Sequence, residues 1–321
     1  MRTVRLGAGT GWSRDRFEPA GEMVRSGAVD YLCFDAMSEV TMSIAQAQRE
    51  SNPSLPGYDP YLVPRMEPIL KEAKARGVRL ITNSGWLDPV GAAQRVRQIA
   101  REQGIEGLSV AAVVGGLLTI DAIAGMGLRF LEDGEPVADS RDRIVSGEVY
   151  LGAGGIVDAL AAGADVVVTS RVADACLYLG PLAYEFGWDL DDPHLAAQGM
   201  VIGHLAECGS QVSGGCFADP GYKEVPDLAN VGNPIVEVFE DGRMTVGKLP
   251  GTGGRVSVAT CKEQLLYEVQ DPANYLCPDV VADLGSVRFR QVGDDLVEVG
   301  ARKSKGPNPG PAQAADWIEG G

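Results

Sequence analysis

The stretch IVDALAAGADVVVTSRVAD, residues 156–174, contains the plan of the whole chain. Ile156 to Ala162 spaces its apolar residues as a helix does, and Gly163 supplies the positive φ that ends one. Asp165-Val166-Val167-Val168-Thr169 then reads as a short strand with no polar alternation, the kind that sits in a parallel sheet covered on both faces. Polar residues follow directly after it: Ser170, Arg171 and Asp174.

The same unit recurs on the N-terminal side. Thr3 to Gly7 is a strand that enters a glycine-rich turn and then a helix from Glu18 to Ser26; Val29 to Phe34 is the next strand, with a helix over 38–49 behind it. Gly77 precedes the strand Val78 to Thr82, and a helix over 88–103 leads into a strand over 108–114. Gly27, Gly77 and Gly107, like Gly163, stand where a helix must turn toward the following strand. This alternation predicts an α/β protein with a three-layer, doubly wound, mostly parallel sheet. A (β/α) barrel-like closure is the alternative, because periodicity does not separate a closed sheet from an open one.

Beyond Asn230 the texture changes. Ile235 to Phe239 and Met244 to Val246 flank Glu240-Asp241-Gly242, a hairpin signature, so a C-terminal antiparallel extension is expected. A helix over 257–269 and alternating segments at 287–290 and 296–299 complete it. The expected organisation is one α/β domain over 1–301, with a subdivision near 230 left open, followed by a Pro/Gly-rich loose tail over 302–321.

Composition narrows the function. The chain has 321 residues, 45% hydrophobic, with 28 Lys and Arg against 44 Asp and Glu, a formal charge of -16. Such a surface repels phosphate backbones and anionic headgroups, so neither nucleic acid nor membrane is an expected partner. No apolar run approaches the roughly 20 residues that span a bilayer. The six cysteines are scattered without a CxxC pair, which suits reduced thiols and a cytoplasmic location. A small-molecule enzyme is the class that remains.

In open parallel sheets, ligands bind beyond the carboxyl ends of the strands. Read that way, the first strand delivers Gly7-Ala8-Gly9-Thr10-Gly11 and then Arg16, the second Asp35 with Ser38 and Glu39, the third Asn83, and a later one Arg171 and Asp174. Arg16 or Arg171 there would hold an anionic group, while Asp35, Glu39 or Asp174 serves as acid, base or orienting partner. The competing reading makes Ser38, Asp88 and Asp174 helix caps with arginines paired to them. GAGTG is not a full dinucleotide fingerprint, since Trp12 occupies the third glycine's place; the amides around Gly9 and Gly11 either approach an anion or form a bare turn.

Two further groups stand out. His204 and Glu207, three residues apart with Cys208 adjacent, share a helix face. They suit general acid–base chemistry, a structurally satisfied histidine, or a metal, although one His, one Glu and one Cys make a thin ligand set and no metal is expected. The loop that follows carries Gln211 and Asp219. Pro250-Gly251-Thr252-Gly253-Gly254 opens the helix bearing Lys262; it lacks the GK[ST] of a Walker loop and is either an anion cradle or a turn.

Several of these segments resemble the acyclic terpene utilisation (AtuA) family: GAGTGWSRDR, VDYLCFDAMSEVT, GYDPYLVPRM, ITNSG, GADVVVTSRVADACLYLGPL, GHLAECGSQVSGG, FADPGYKEVPDLANVGNPI and PGTGGRVSVATCKEQLLYEVQDP. They spread from about residue 5 to about residue 285. The resemblance implies a role in the catabolism of branched or carboxylated acids carried as CoA thioesters. It marks Asp15, Arg16, Thr41, Asn83, Arg171, Asp174, His204, Glu207, Gln211, Asp219 and Lys262 as family-like positions. Asp35, Val40 and Trp86-Leu87-Asp88 depart from the family pattern and line the rim, so the substrate is expected to differ from the terpenoid one. The function so implied is a lyase or hydratase on a small anionic substrate, with His204 and Glu207 moving a proton and Arg171 binding carboxylate. No cofactor beyond a CoA thioester as part of the substrate is expected, and the chain is expected to form a homo-oligomer or join a partner subunit. The alternative is a non-catalytic CoA- or nucleotide-binding subunit of a larger complex.

Overall fold

A computed structural model describes residues 2–300, 303–306 and 316–319. The first half runs strand to helix: β1 (Thr3–Thr10), α1 (Glu18–Ser26), β2 (Tyr31–Phe34), α2 (Glu39–Ser51), α3 (Leu62–Met66), α4 (Leu70–Arg76), β3 (Arg79–Thr82), α5 (Pro89–Glu102) and β4 (Val110–Val114). An excursion over 117–149 follows, with β5 (Leu117–Leu118), α6 (Ile120–Gly125) and β6 (Gly147–Glu148). The chain then returns through α7 (Gly154–Ala161) to β7 (Val166–Thr169), and on to α8 (Cys176–Phe186) and α9 (Pro193–Ala206). The remainder is β8 (Pro234–Phe239), β9 (Met244–Lys248), α10 (Val258–Leu266), β10 (Tyr275–Leu276), β11 (Val281–Asp283), β12 (Arg288–Gly293), β13 (Leu296–Gly300), β14 (Lys303–Gly306) and β15 (Asp316–Glu319).

Successive side chains of a strand point to opposite faces, and here both faces are buried. Leu32, Phe34, Leu80, Val166 and Val168 lie under α1, α3, α4 and α5. Their alternates Tyr31, Cys33, Ile81 and Val167 lie under α7, α8, α9 and α10. Three layers result. Gly27 at φ 69° and Gly77 at φ 71° close α1 and α4 in the left-handed region, where a Cβ would be strained. Two of the caps weighed in the sequence are realised: the Ser38 hydroxyl accepts from the Thr41 amide, and the Asp88 carboxylate accepts from that of Gly91.

The sheet order is β12-β13-β9-β8-β1-β2-β3-β7-β4-β15. The five strands β1, β2, β3, β7 and β4 are mutually parallel, and β8, β9, β13 and β12 continue from β1 as the antiparallel extension. The sheet is open, and no barrel closes among the described residues. Within 302–321, expected as a loose tail, Lys303–Gly306 pairs with β11 and Asp316–Glu319 with β4. The rest of that segment lies outside the described residues. No described helix is long and apolar enough to cross a membrane.

One topological feature places the chemistry. The helices packed after β1 and β3 lie on one face and those after β7 on the other, so the chain changes side between β3 and β7. In doubly wound sheets the ligand site lies at the carboxyl ends of such a strand pair. Over these ends lies α2, whose Met42 and Ala45 form a small separate cluster with Met37, Trp86 and Leu87.

Candidate functional site

The switch point brings the ends of β2, β3 and β7 together. Asp35, buried just after β2, accepts a hydrogen bond from Asn83 Nδ2 at 2.7 Å, while Asn83 Oδ1 accepts the Ala36 amide at 2.7 Å. Asn83, wholly buried just after β3, therefore locks the Asp35 loop through both ends of its amide. Burial drives the Asp35 carboxyl up to about 7, with the Glu207 carboxylate adding to the rise and the Asn83 hydrogen bond and the Arg171 charge opposing it.

Arg171, after β7, is buried and fully engaged. Nη1 donates to Asp174 Oδ1 at 2.6 Å and to the Met37 carbonyl at 3.0 Å; Nη2 donates to Glu39 Oε1 at 3.0 Å and to Tyr150 Oη at 2.7 Å. Its guanidinium also lies 4.1 Å from the centroid of the Tyr150 ring, and Tyr150 itself donates to Glu39. Burial works against the charge on Arg171, but Asp174, Asp35 and Glu39 together hold it firmly protonated. Asp174 is no helix cap: its carboxyl is pushed up by burial and by Asp35, with Arg171 opposing. The partners of Arg171 differ in one respect. The Glu39 side chain is 73% exposed against 5% for Arg171, so this outer ion pair faces solvent.

His204 and Glu207 do share a face at the end of α9, with His204 Nδ1 2.8 Å from Glu207 Oε1 and the Tyr275 hydroxyl 3.4 Å from the same nitrogen. Burial disfavours the imidazolium, yet Glu207 more than offsets it and His204 sits above its usual pKa. The histidine is 1% exposed, enclosed by α9, α10 and the Tyr275 ring at 5.0 Å. Glu207 is the link between groups, because its charge also raises both Asp35 and Asp174. Among the described residues, no three His, Cys, Asp or Glu side chains are placed to share a metal.

The glycine loops lie differently from an anion cradle. The Gly11 amide donates to Asp15 Oδ2 and the Trp12 amide to Thr10 Oγ1, so the chain's own carboxylate fills that turn. A Cβ at Gly9 would stand 2.4 Å from the Phe34 ring, and one at Gly11 2.2 Å from the Cys208 backbone. At the second loop the amides of Thr252, Gly253 and Gly254 donate to the carbonyls of Leu249, Asn230 and Pro226. Gly251 turns there at φ 82°. Those N–H groups are taken, and the glycines serve close backbone approach. Arg16 binds the Val231 carbonyl away from Arg171's partners. Asp219 pairs by backbone with Lys223, Lys262 is exposed on α10, and Gln211 sits beside Cys208.

The sequence reading did not reach Tyr150, which comes from the far end of the excursion, or Asp59. The latter is a fully buried carboxylate that accepts from Ser13 Oγ at 2.9 Å and is pushed up to about 6 by burial, against the Tyr61 amide. Asp59 stands within GYDPYLVPRM, a segment whose role the strand-end reading did not reach, and Tyr150 has no neighbouring motif to announce it.

Compared with protein families, residues 4–314 match the model described as acyclic terpene utilisation family protein AtuA. No curated protein and no solved structure matches the chain.

Proposed function

The chain belongs to the acyclic terpene utilisation (AtuA) family, and on that premise we propose that it is a lyase or hydratase acting on a small carboxylated acyl compound carried as a CoA thioester. The observation that carries this is Asp35: a buried carboxyl at the topological switch point, held in place by Asn83, that titrates at about 7. Adding or removing water next to a carbonyl requires a group that gives and takes a proton near neutrality, and such a group contributes roughly 10²–10⁴-fold. Asp35 meets that requirement better than His204, which is enclosed by its own neighbours; His204 with Glu207 then acts on the site through the Glu207 charge. Arg171 supplies the anion contact once a substrate carboxylate replaces that of the exposed Glu39 at Nη2.

The test is proton exchange at the carbon next to the thioester carbonyl. The full chain is incubated in D₂O with a panel of saturated, unsaturated and carboxylated acyl-CoA thioesters and followed by NMR. Wild type should exchange or hydrate at least one of them, and Asp35→Asn should lower that rate at least 100-fold while its circular dichroism stays unchanged. A panel that is inert, or an Asp35→Asn rate equal to wild type, overturns the assignment.

A further inference from the structure

A cavity of about 170 Å³ opens beside the switch point, between the turn after β1 and α2. Its walls are largely apolar, from Trp12, Val40, Ile44 and Trp86, and among the described residues Arg14 is the one cation that lines it and no carboxylate does. In a chain with 44 acidic residues and a formal charge of -16, this lining is a local site of positive charge on an otherwise acidic surface. Arg14 is exposed and enters no ion pair or side-chain hydrogen bond among the described residues, in contrast to Arg171 with its four partners. A volume of this size accommodates a short aliphatic chain.

The walls are held rigidly, as a binding site requires. Ser13 is tied at both ends, its hydroxyl to Asp59 at 2.9 Å and its carbonyl to the buried Arg65 at 2.7 Å, so the segment presents Arg14 outward from a fixed base. Trp86 stands at φ 45°, a left-handed conformation rare for a bulky residue, with its ring N–H on the Ala36 carbonyl at 2.9 Å. That bond and the one from its amide to the Asn83 carbonyl at 3.3 Å join the pocket wall to the loop carrying Asp35. Trp12 at 61% exposure and Val40 at 62% leave apolar surface at the mouth that a ligand would cover.

We infer that this pocket binds a short aliphatic monocarboxylate, the tail against Trp12, Trp86, Val40 and Ile44 and the carboxylate on Arg14. Taking that ligand for the substrate's acyl portion rests on the lyase or hydratase chemistry proposed above, whereas the binding does not. Isothermal titration of the full chain with hexanoate, and with hexanol as the neutral chain of equal length, tests the pocket. Hexanoate should bind saturably and at least tenfold more tightly than hexanol. Arg14→Ala should lower hexanoate affinity at least tenfold and leave hexanol unchanged, and Arg14→Lys should recover part of the loss; both variants change an exposed side chain and should keep the wild-type melting temperature. Ile44→Trp, which fills the pocket, should abolish both ligands. Equal binding of the two ligands, no saturable hexanoate binding, or wild-type affinity in Arg14→Ala overturns the inference. Hexanoate is also titrated into Asp35→Asn, where wild-type affinity is expected. The pocket therefore stands if Asp35 proves irrelevant to exchange, and Asp35 chemistry stands if hexanoate fails to bind.

Discussion

Two regions of this molecule look equally suited to an anion in one dimension, and they differ in what their polar groups face. The glycine loops at Gly7–Gly11 and Gly251–Gly254 have backbone amides that donate to the chain itself, to Asp15 in one case and to main-chain carbonyls in the other. The carboxyl ends of β2, β3 and β7 instead gather the buried Asp35, Asn83 and Arg171 and the partly buried Asp174 into a cluster whose carboxyls are held well above their ordinary range. Glycine is needed wherever backbone comes close to anything, and only the packing tells whether that thing is a ligand or another loop. A raised carboxyl is more discriminating, since a fold gains nothing in stability from burying one.

The difference can be tested from its strongest consequence downward. Arg171→Ala leaves the buried Asp35 and the partly buried Asp174 without their cation, and losing one member of a buried pair costs up to about 3–5 kcal/mol; urea unfolding should show it, and a loss below about 1 kcal/mol would mean the cluster is far wetter than its burial indicates. Asp35→Asn should do the reverse. The Asp35 carboxyl titrates at about 7 in the folded chain against an ordinary 3.8, so folding holds its proton more tightly and stability falls as pH rises from about 4 to about 7. Removing the charge should stabilise the protein by on the order of a few kcal/mol at pH 8 and by almost nothing at pH 4. Equal melting temperatures at pH 8 would place Asp35 among ordinary carboxylates.

Gly253→Ala should cost about 1–3 kcal/mol or more, because the added carbon would stand 1.9 Å from the Asp227 carbonyl oxygen. That loss should be insensitive to sulfate or phosphate; protection by either anion would restore the loop as a ligand cradle. The smallest effect belongs to Glu39→Gln. Its exposed ion pair to Arg171 should change stability by less than about 1 kcal/mol. Without that competing charge, the affinity for a carboxylated acyl-CoA should rise, and an unchanged calorimetric affinity would remove Glu39 as the group a substrate displaces.

Much of the fold could be read from local pattern. Val166-Val167-Val168 could only be a strand buried on both faces, and Gly27 and Gly77 marked helix ends because few other residues tolerate that turn. The positions of Asp35, Asn83, Arg171 and Asp174 followed from where their strands end. Their partners did not. Glu39 and Tyr150 meet Arg171 across 132 and 21 residues, and Ser13 meets Asp59 across 46, with no periodicity connecting them. The glycine loops stayed ambiguous in the sequence for the related reason that composition reports which backbone can come close, not what it comes close to.

By itself the sequence determined the succession of strands and helices, the two buried faces of the sheet and the identity of the residues at the strand ends, because these depend on periods of 2 and 3.6 residues along the chain. Only the tertiary structure decided that β7 inserts between β3 and β4, which sets Arg171 beside the loop of Asp35 and Asn83, and that the glycine amides turn inward. Parallel strands of similar apolarity pair with one another about equally well. Their order therefore comes from the crossovers and from packing between residues distant in the chain, and the raised carboxyl of Asp35 exists only once that order is in place.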